Sequence, residues 1–482
     1  MTNYMNLRHL AMPLLLITDM AAFYSSIALA YVIRAFGLPY LFEGLTVTEK
    51  GFVYALWWLP LVGCLFFVFE KAYTRRSSFW QEAGQIVKTV TLVFLVSSSF
   101  VFLTKQGDAN SRTLLLLIWV LCLFLAPSFR YLSKRLLFKA HIWEKPVIIL
   151  GAGETGGLIL DAFNRDIFMG YKPIGFLDDD LDKLEHPPKT QTGEFIPILG
   201  GFDDAEEVIE KSRVRDIIIA APGLTGKKLV QLVNKLQCKS YNLMVVPDLF
   251  EMAVEGAEVQ HLFAERTIVL KLKNNLNDSF NLAMKTVFDF TLSLILFILL
   301  IPILVLLALG VKLGSKGSVF YTDTRIGRKG KNFKCIKFRT MYPHADVILE
   351  EYLLANQDAK EQWEKYAKLK EYDPRVTKIG ALLRRYSLDE LPQILNVITG
   401  DMSLVGPRPY LPREQENLQG RQDILITKPG ITGLWQISGR NDVDFSERMQ
   451  LDLWYVRNWS LWLDISILMR TVAVVIKGHG AY

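Results

Sequence analysis

The run FTLSLILFILLIPILVLLALGV at residues 290–311 decides how the second half of this 482-residue chain is built. Its length is close to the ~20 residues that an α-helix needs to cross the hydrocarbon core of a bilayer. Pro302 stands near its middle, where the missing N–H interrupts the backbone hydrogen bonds and bends a helix. Between Lys312 and Arg339 the chain then carries nine Lys or Arg residues and a single acid, Asp323.

Four further apolar stretches occupy the first 130 residues, at 11–33, 52–69, 86–103 and 113–129. Each is near spanning length. Basic residues gather after the second and the fourth stretch: Lys71, Arg75, Arg76, Arg130, Lys134, Arg135, Lys139 and Lys145. Because short cytoplasmic loops are enriched in Lys and Arg, we predict a four-helix transmembrane unit over residues 1–142 with both ends in the cytoplasm.

The same rule decides the path of the run at 290–311. Its preceding segment starts in the cytoplasm and its downstream flank is strongly basic, so both of its ends should lie on the cytoplasmic face. We therefore predict a re-entrant membrane helix over residues 285–312 that enters the bilayer, bends at Pro302 and returns. A spanning helix with a tolerated proline is the alternative.

The composition agrees with a protein that is partly in the membrane. Hydrophobic residues make up 51% and the mean hydropathy is +0.22, but 22% of residues are charged, too many for a helical membrane bundle alone. The net charge of +6 is modest for this length, and we expect no nucleic-acid partner. Four scattered cysteines without CxxC and six histidines without ligand spacing disfavour disulfides and zinc, so any metal should be bound by oxygen.

The middle of the chain, residues 146–270, carries a dinucleotide fingerprint. A short strand pattern, PVIIL, is followed by GAGETGG, in which Gly151, Gly153 and Gly156 form G-x-G-x-x-G between a strand and a helix. Further strand patterns alternate with helical ones, so we predict a Rossmann-like α/β domain. Because the glycines serve the tight turn with or without a bound nucleotide, we favour a structural or regulatory role and keep a redox role as the alternative.

The basic segment after the apolar run suits anions. Arg325 lies in a glycine-rich basic turn, and Lys337 and Arg339 alternate on a predicted strand, an arrangement that binds phosphate well. Attraction to acidic lipid headgroups is the alternative interpretation. Further on, the aromatic segment at 453–475 favours packing at the membrane interface over a buried helix.

The stretch RRYSLDELPQ, which begins at Arg384, sets two adjacent acids among arginines. By local rules alone Ser387 and Glu390 form a capping box at a helix start, and Asp389 complements the helix dipole. The neighbourhood favours phosphoryl chemistry instead, because GPRP at 406–409 projects a further guanidinium, Arg408, from a rigid turn. Neighbouring residues on a helix point in different directions, so one acid should be a nucleophile and the other a supporting group.

At these residues the sequence resembles the bacterial polyprenyl-phosphate phosphoglycosyl transferases, the monotopic sugar-transferase family. The matching pieces are KFRTM, DPRVTKIG, RRYSLDELPQ, GDMSLVGPRP and KPGITGLWQISGR, which follow in the family's order and cover most of residues 280–482. The helices and the Rossmann-like domain also resemble the long-form members, particularly those that transfer galactose phosphate. The fold class that follows is four transmembrane helices, a Rossmann-like domain and an α/β transferase domain with a re-entrant helix.

The resemblance implies a mechanism. Asp389 attacks the β-phosphorus of a UDP-sugar, UMP leaves, and undecaprenyl phosphate then attacks the aspartyl-phosphosugar, the first membrane step of O-antigen, capsule or exopolysaccharide assembly. Mg²⁺ binds near Asp389, Glu390 assists, Arg384 and Arg408 hold phosphate or nucleotide, and Pro302 breaks the re-entrant helix. Galactose is the expected sugar and glucose the second choice.

The expected location is the bacterial inner membrane, in a multi-pass protein with its catalytic domain on the cytoplasmic face. We also expect a homodimer formed through the helical and Rossmann-like parts. Two other functions are open on the sequence: a membrane-tethered, NAD-dependent enzyme that modifies nucleotide-sugars at Gly151–Gly156, and a non-enzymatic scaffold or chain-length regulator. The first predicts bound nicotinamide, and the second predicts that Asp389→Asn changes nothing.

Overall fold

A computed structural model describes residues 9–41, 56–103, 109–180, 195–224, 226–237, 240, 242–247, 258–262, 267–271, 275–366, 369, 372–418, 422–438 and 444–477. By its internal contacts the chain forms two compact units, Met1–Asp248 and Leu249–Tyr482. The first unit contains an apolar helical part and a parallel sheet. The second contains the segments that resemble the sugar transferases.

Among the described residues of the first unit, the helical part has four apolar helices: α1 (Ala11–Val32), α2 (Leu59–Phe69), α3 (Phe79–Leu103) and α4 (Ala109–Lys139). The first continues through a π-helical turn as far as Leu41. By length and composition, α1 with its extension, α3 and α4 are long enough to cross a membrane. The helix α2 has 11 residues, and part of the predicted span at 52–69 lies outside the described residues. Four crossings therefore stay a prediction.

These helices bury a network of charged side chains. Arg130 of α4 pairs with Asp19 of α1 and, at 3.0 Å, with Glu82 of α3, while Lys134 reaches the other oxygen of Glu82 at 2.7 Å. Buried ions are tolerated only when they are paired and hydrogen-bonded. The two cations and two anions of this network balance each other and join three helices.

The sheet of the first unit is parallel, with strand order β2-β1-β3-β4. Its elements alternate along the chain: β1 (Lys145–Leu150), α5 (Glu154–Arg165), β2 (Tyr171–Leu177), α6 (Ala205–Ser212), β3 (Asp216–Ile219), α7 (Gly226–Gln237) and β4 (Asn242–Val245). Buried isoleucines and leucines of β1 and β3 form its core. The predicted Rossmann-like α/β architecture is confirmed.

The second unit begins with an antiparallel hairpin, followed by a long apolar helix and a compact α/β region. Its elements are β5 (Glu258–Leu262), β6 (Thr267–Lys271), α8 (Ser279–Gly314), β7 (Phe320–Ile326), β8 (Asn332–Phe338), α9 (Ala345–Ala355), α10 (Gln357–Tyr366), α11 (Lys378–Arg385), α12 (Ile394–Ile398), β9 (Ser403–Val405), β10 (Gly430–Thr432), α13 (Leu434–Ile437), α14 (Phe445–Arg457) and α15 (Leu461–Lys477). Strands β7 and β8 pair antiparallel, and β9 and β10 pair parallel.

The first half of α8 is fixed to the α/β region by buried polar contacts. Lys285 donates to Asp464 at 2.7 Å and to the carbonyl of Val405 at 3.1 Å, and Asp289 accepts from Ser403 at 2.6 Å. Each of these side chains is buried. Because breaking one partner of such a pair leaves a buried charge, these contacts hold the helix strongly.

The second half of α8 packs on the same region through apolar contacts. Leu304, Leu307 and Val311 lie in one cluster with Phe338 of β8 and Leu383 of α11. Between the two anchored halves the side chains are open, with Ile298 59% and Leu299 67% exposed. The helix is apolar and long enough to cross a membrane, and it contains Pro302 without a break in its helical assignment.

The aromatic end of the chain is more deeply packed than the sequence predicts. Trp459 is 1% exposed, and its indole N–H donates to Asp464 at 3.0 Å. Tyr455 is fully buried and bonds the other oxygen of Asp464 at 2.7 Å. The prediction of an interfacial position is therefore wrong for these two side chains, since the buried carboxylate of Asp464 supplies the polar partners that water would supply at an interface.

Candidate active site

The acidic pair sits on a short 3₁₀ turn rather than on a regular helix start. Helix α11 ends at Arg385, and the turn Leu388–Gln393 follows. Between them Ser387 has a left-handed backbone, with φ 54° and ψ 25°, and its side chain makes no capping hydrogen bond. The capping box suggested by local sequence rules is therefore absent. The left-handed residue turns the chain just before Leu388, and Asp389 and Glu390 follow as the second and third residues of the new turn.

Lys337 of β8 forms an ion pair with the second acid of the turn. Its ammonium Nζ lies 2.6 Å from Oε1 of Glu390. Burial alone would lower the pKa of Lys337, but the attraction of Glu390, and then of Asp389, outweighs burial and raises it. Lys337 is therefore a firmly charged ammonium beside both carboxylates.

Asp389 lies in a different electrostatic setting. Burial, followed by repulsion from Glu390, raises the pKa of Asp389, while Lys337 and Arg384 act in the opposite direction. A carboxylate that is poorly solvated but flanked by cations is a better nucleophile than a fully hydrated one. The geometry thus gives the two neighbouring acids different surroundings, and their separate roles as nucleophile and supporting group stay a prediction.

Arg384 is held at the site through the loop after β8. Its Nε donates to Oγ1 of Thr340 at 2.9 Å. The backbone of Thr340 is in turn fixed by Thr377, whose N–H donates to the Thr340 carbonyl at 3.0 Å and whose hydroxyl caps α11. Burial lowers the pKa of Arg384, although Asp389 and then Asp373 raise it. Within the pH range of cells the guanidinium stays charged.

A cavity of about 1140 Å³ opens onto these residues. Asp389, Glu390, Lys337 and Arg384 all line it. Its other walls come from β7, the loop after β8, α13 and the last turns of α15. The volume exceeds what a drug-sized ligand needs, so it has room for a nucleotide-sugar beside the end of a second substrate.

Two predicted phosphate ligands line the cavity but already have protein partners. Arg325 pairs with Asp323 at 2.7 Å and donates to the carbonyl of Pro409 at 3.0 Å. Arg339 donates through Nη2 to the carbonyl and hydroxyl of Ser315, just after α8 ends. Both arginines therefore shape the walls of the site, and phosphate binding by either stays a prediction.

Arg408 lies outside the residues that line the cavity. Its guanidinium is 5.9 Å from the ring centre of Trp435, which does line it, and 3.8 Å from Glu414. The backbone N–H of Arg408 donates to the fully buried Asp452 at 3.0 Å, and the hydroxyl of Tyr410 donates to the same oxygen at 2.7 Å. The GPRP turn is therefore anchored from α14, and the phosphate-binding role of Arg408 stays a prediction.

The glycine fingerprint of the first unit is a tight strand–turn–helix junction. Gly151 has a φ of 104°, and a side chain there would overlap the carbonyl of Ala220. A side chain at Gly156 would overlap the carbonyl of Gly151, and Gly153 precedes α5 without a side-chain cap. These features serve the packing whether or not a nucleotide is bound, so the favoured structural or regulatory role stays a prediction and a redox role stays its alternative.

Several site residues were missed by reasoning from the sequence. Thr340 lies within the quoted KFRTM motif, but its contact with Arg384 joins residues 44 positions apart. Tyr321 and Asp323 alternate with Arg325 along β7, a period of two that marks one strand face. Asp452 had no local signal, because its partners are far away in the chain.

Comparison with known proteins defines the class. Residues 280–478 match the family model described as bacterial sugar transferase, and residues 72–247 match one described as a CoA-binding domain. The chain is 36% identical over 423 residues to undecaprenyl-phosphate galactose phosphotransferase of Salmonella typhimurium, covering 86% of each chain. The protein belongs to the bacterial sugar transferase family, and the resemblance seen in its motifs is confirmed.

Two further relatives bear on the particular activity. The UDP-galactose-lipid carrier transferase of Erwinia amylovora is 35% identical over 476 residues, 97% of each chain. The UDP-glucose:undecaprenyl-phosphate glucose-1-phosphate transferase of Escherichia coli is 31% identical over 348 residues, 70% of this chain and 69% of the relative. This chain is accordingly a membrane-associated phosphoglycosyl transferase.

Proposed function

We propose that this enzyme transfers hexose 1-phosphate from a UDP-hexose to undecaprenyl phosphate and releases UMP. The observation that carries the proposal is the position of the Asp389 carboxylate in the wall of a large cavity, beside the Lys337–Glu390 ion pair and Arg384. Flanking cations bind phosphate oxygens, and a poorly solvated carboxylate can attack phosphorus. The names of the relatives support the same substrates.

In the first step an oxygen of Asp389 attacks the β-phosphorus of the donor. The bond from that phosphorus to the bridging oxygen breaks, and UMP leaves with the electron pair. In the second step an oxygen of undecaprenyl phosphate attacks the same phosphorus and the Asp389 carboxylate leaves, which forms a diphosphate-linked sugar. Covalent catalysis replaces one displacement between two anions by two steps at a site that holds the phosphates.

The three charged neighbours of Asp389 have separate tasks in this mechanism. Glu390 fixes the Lys337 ammonium through their 2.6 Å contact, so that the cation points at the reacting phosphate. Arg384 is oriented by Thr340 and presents its remaining N–H groups to phosphate oxygens. The fixed cations offset the negative charge that develops as the phosphorus–oxygen bonds change.

The residues at the cavity also fit Mg²⁺. This ion is usually held by one or two carboxylates together with substrate phosphates, and Asp389 supplies such a carboxylate next to where the donor diphosphate would lie. When bound, the ion would neutralise phosphate charge and polarise the phosphorus. Glu390 is engaged by Lys337 and would support the site from behind.

Galactose is the sugar we propose, with glucose as the second candidate. The two relatives whose names contain galactose are 36% and 35% identical to this chain, whereas the glucose transferase from Escherichia coli is 31% identical. The higher identity supports galactose by similarity. The product would begin a lipid-linked polysaccharide such as O-antigen, capsule or exopolysaccharide.

We propose that α8 is re-entrant, that the membrane is the bacterial inner membrane, and that the site faces the cytoplasm. The packing of both halves of α8 on one α/β region supports this path, because a straight spanning helix would carry one end away. The exposed apolar middle of α8 surrounds Pro302, where a bend would lie in lipid.

Cysteines introduced at Phe280 and Lys316 should both react with an impermeant maleimide from the cytoplasmic side. Labelling from opposite sides would contradict the proposal.

One assay tests the reaction. Membranes containing the full chain are incubated with undecaprenyl phosphate, Mg²⁺ and a panel of UDP-sugars, and UMP is measured. We expect release with UDP-galactose, none with Asp389→Asn, and normal release with Asp401→Asn, an exposed carboxylate outside the cavity. Release by Asp389→Asn, or none from the native chain with any UDP-sugar, would refute the proposal.

The covalent step is tested without the acceptor lipid. The native chain should release one equivalent of UMP and gain the mass of a hexose phosphate in intact-protein mass spectrometry, and Asp389→Asn should do neither. Bound nicotinamide with a substrate-dependent absorbance change would favour the rival NAD-dependent function instead. The homodimer is also a proposal, and light scattering of the detergent-solubilised chain tests it.

A further inference from the structure

A row of side chains from β7 lines the cavity beside the acidic pair. Tyr321, Asp323 and Arg325 alternate along the strand, so they share one face, and each of the three contributes to the cavity wall. Tyr321 is 55% exposed, which leaves its ring and hydroxyl accessible from the cavity. The phosphate chemistry described above gives no role to Tyr321 or Asp323.

The ladder between β7 and β8 sets how far this row lies from the chemistry. Tyr321 is directly opposite Lys337, whose ammonium holds Glu390. Asp323 is two residues further along the strand, about 7 Å from Tyr321 at the usual rise of a strand. A hexose is of comparable length, and Asp323 and Asp389 line the same cavity, so a sugar bound there can extend toward Asp323.

The charges around one buried thiol agree with this short distance. Cys335 lies opposite Asp323 in the ladder, and burial raises the pKa of its thiol to about 11. The same pKa is influenced by Lys337 and Arg325, which lower it, and by Glu390 and Asp323, which raise it. All four charged groups are therefore gathered around this thiol.

The chemistry of Asp323 suits a neutral hydroxyl and not a phosphate. Its carboxylate pairs with Arg325 at 2.7 Å, and Arg325 is fixed in turn by the carbonyl of Pro409. A carboxylate repels the diphosphate of a donor but accepts hydrogen bonds from hydroxyl groups with its remaining lone pairs. The pair with Arg325 also holds the carboxylate in one orientation, which discrimination between similar sugars requires.

We propose that Asp323, oriented by Arg325, is the specificity-determining residue for the donor sugar, accepting hydrogen bonds from hexose hydroxyls while Lys337 and Arg384 face the phosphates. This inference rests on the proposed transfer of hexose phosphate. A site that bonds a particular hydroxyl rejects a sugar in which that hydroxyl is missing or points elsewhere, because the bound substrate shields the protein partner from water and leaves it unsatisfied.

The test compares Asp323→Asn with the native chain, using UMP release from UDP-galactose, UDP-glucose and a series of monodeoxy UDP-hexoses. Asparagine keeps the shape but loses the charge. We expect kcat/KM for the preferred hexose to fall by about 10- to 100-fold, the range for a hydrogen bond to a charged group. For the deoxy analogue that lacks the bonded hydroxyl the substitution should change kcat/KM less than about threefold. Inhibition by UMP should be unchanged.

Thr324→Val is the matched control, because Thr324 is exposed on the opposite face of β7. It should keep the native sugar preference. An equal loss for every sugar and deoxy analogue in Asp323→Asn would overturn the proposal and reduce Asp323 to a support for Arg325. Unchanged kinetics would overturn it as well.

If Asp323→Asn no longer binds UMP, and so has lost its fold, Asp323→Glu provides the measurement. Glutamate keeps the ion pair but moves the carboxylate by one methylene, and the ratio of kcat/KM for galactose and glucose should change by at least about fivefold. If the ratio of kcat/KM for the two sugars in Asp323→Glu equals that of the native chain, the proposal is refuted. The native chain distinguishes failure of the proposed reaction from failure of the specificity role of Asp323. If the native chain releases UMP from none of the UDP-sugars, the proposed reaction itself is refuted.

Discussion

Glu390 Oε1 lies 2.6 Å from Nζ of Lys337, so one member of the acidic pair is bound to an ammonium while its neighbour Asp389 lines the cavity. Two acids that are adjacent in sequence thereby acquire unequal surroundings. The ammonium also acts on Asp389, because it opposes the rise in the pKa of that carboxyl that burial and Glu390 cause.

Removing this ammonium should change the pH dependence of the reaction. Without Lys337 the pKa of Asp389 rises further, and its carboxylate is protonated at higher pH. In Lys337→Met the acidic limb of the kcat/KM profile should therefore move to higher pH, with a lower plateau. Lys334→Met, on the opposite face of β8, is the control and should leave the limb in place. A limb that does not move in Lys337→Met would contradict the assigned electrostatics.

The left-handed backbone at Ser387 should matter more than its hydroxyl. A non-glycine residue in this conformation costs about 1–2 kcal/mol, which glycine avoids. Ser387→Gly should thus keep activity and melt at the same or a higher temperature, and Ser387→Ala should also stay active. Ser387→Val should lose most activity, because a β-branched side chain disfavours the left-handed region and shifts Asp389. UMP release and thermal unfolding measure both effects. If Ser387→Ala and Ser387→Gly are as inactive as Ser387→Val, the hydroxyl is the essential feature.

The buried pair Lys285–Asp464 should be among the strongest single anchors of α8. Lys285→Met leaves Asp464 charged and buried, which typically costs about 3–5 kcal/mol. Replacing both residues, as Lys285→Met with Asp464→Asn, should recover part of that loss, because asparagine is neutral and keeps an oxygen acceptor for the buried donors of Tyr455 and Trp459. Asp423→Asn removes an exposed pair with Arg457 and should cost less than about 1 kcal/mol. Thermal unfolding in lipid nanodiscs measures the loss of stability in all three variants. A double variant less stable than Lys285→Met would contradict the pairing.

Stability should depend on pH through Asp452. Burial raises the pKa of Asp452 to about 7, above its ordinary value of 3.8. The folded state therefore holds this proton between these two pH values while the unfolded state has released it, so stability falls as pH rises across that interval. The fall is at most about 1.4 kcal/mol for each pH unit and ends above pH 7. Asp452→Asn should remove this part of the slope, seen as the difference between the two melting profiles. If stability falls with pH equally in the native chain and in Asp452→Asn, the assignment of this dependence to Asp452 is wrong.

Much of this protein follows from the sequence. The spacing of the glycines after a buried strand predicts the Rossmann-like sheet, because a tight turn at Gly151 tolerates no side chain. Motif order predicts the transferase family and its acidic pair, and the comparisons confirm the family. The length of the apolar stretches predicts membrane association, although the number of crossings and the bend at Pro302 stay predictions.

The sequence by itself determined features that depend on local spacing: the apolar helices, the strand–turn–helix of the first unit, and the adjacency of Asp389 and Glu390. Only the tertiary structure decided which partners these groups have. Lys337 reaches Glu390 from 53 positions away, and strand pairing places Asp323 opposite Cys335, on the face of the β7–β8 ladder that also carries Lys337. Local rules predict a helix cap at Ser387, which does not form. They also predict a position at the membrane interface for Trp459, whose indole instead makes a buried hydrogen bond to Asp464. Hydrogen bonds and ion pairs between distant segments form only when the packing of the chain brings both partners together, and no local pattern encodes that.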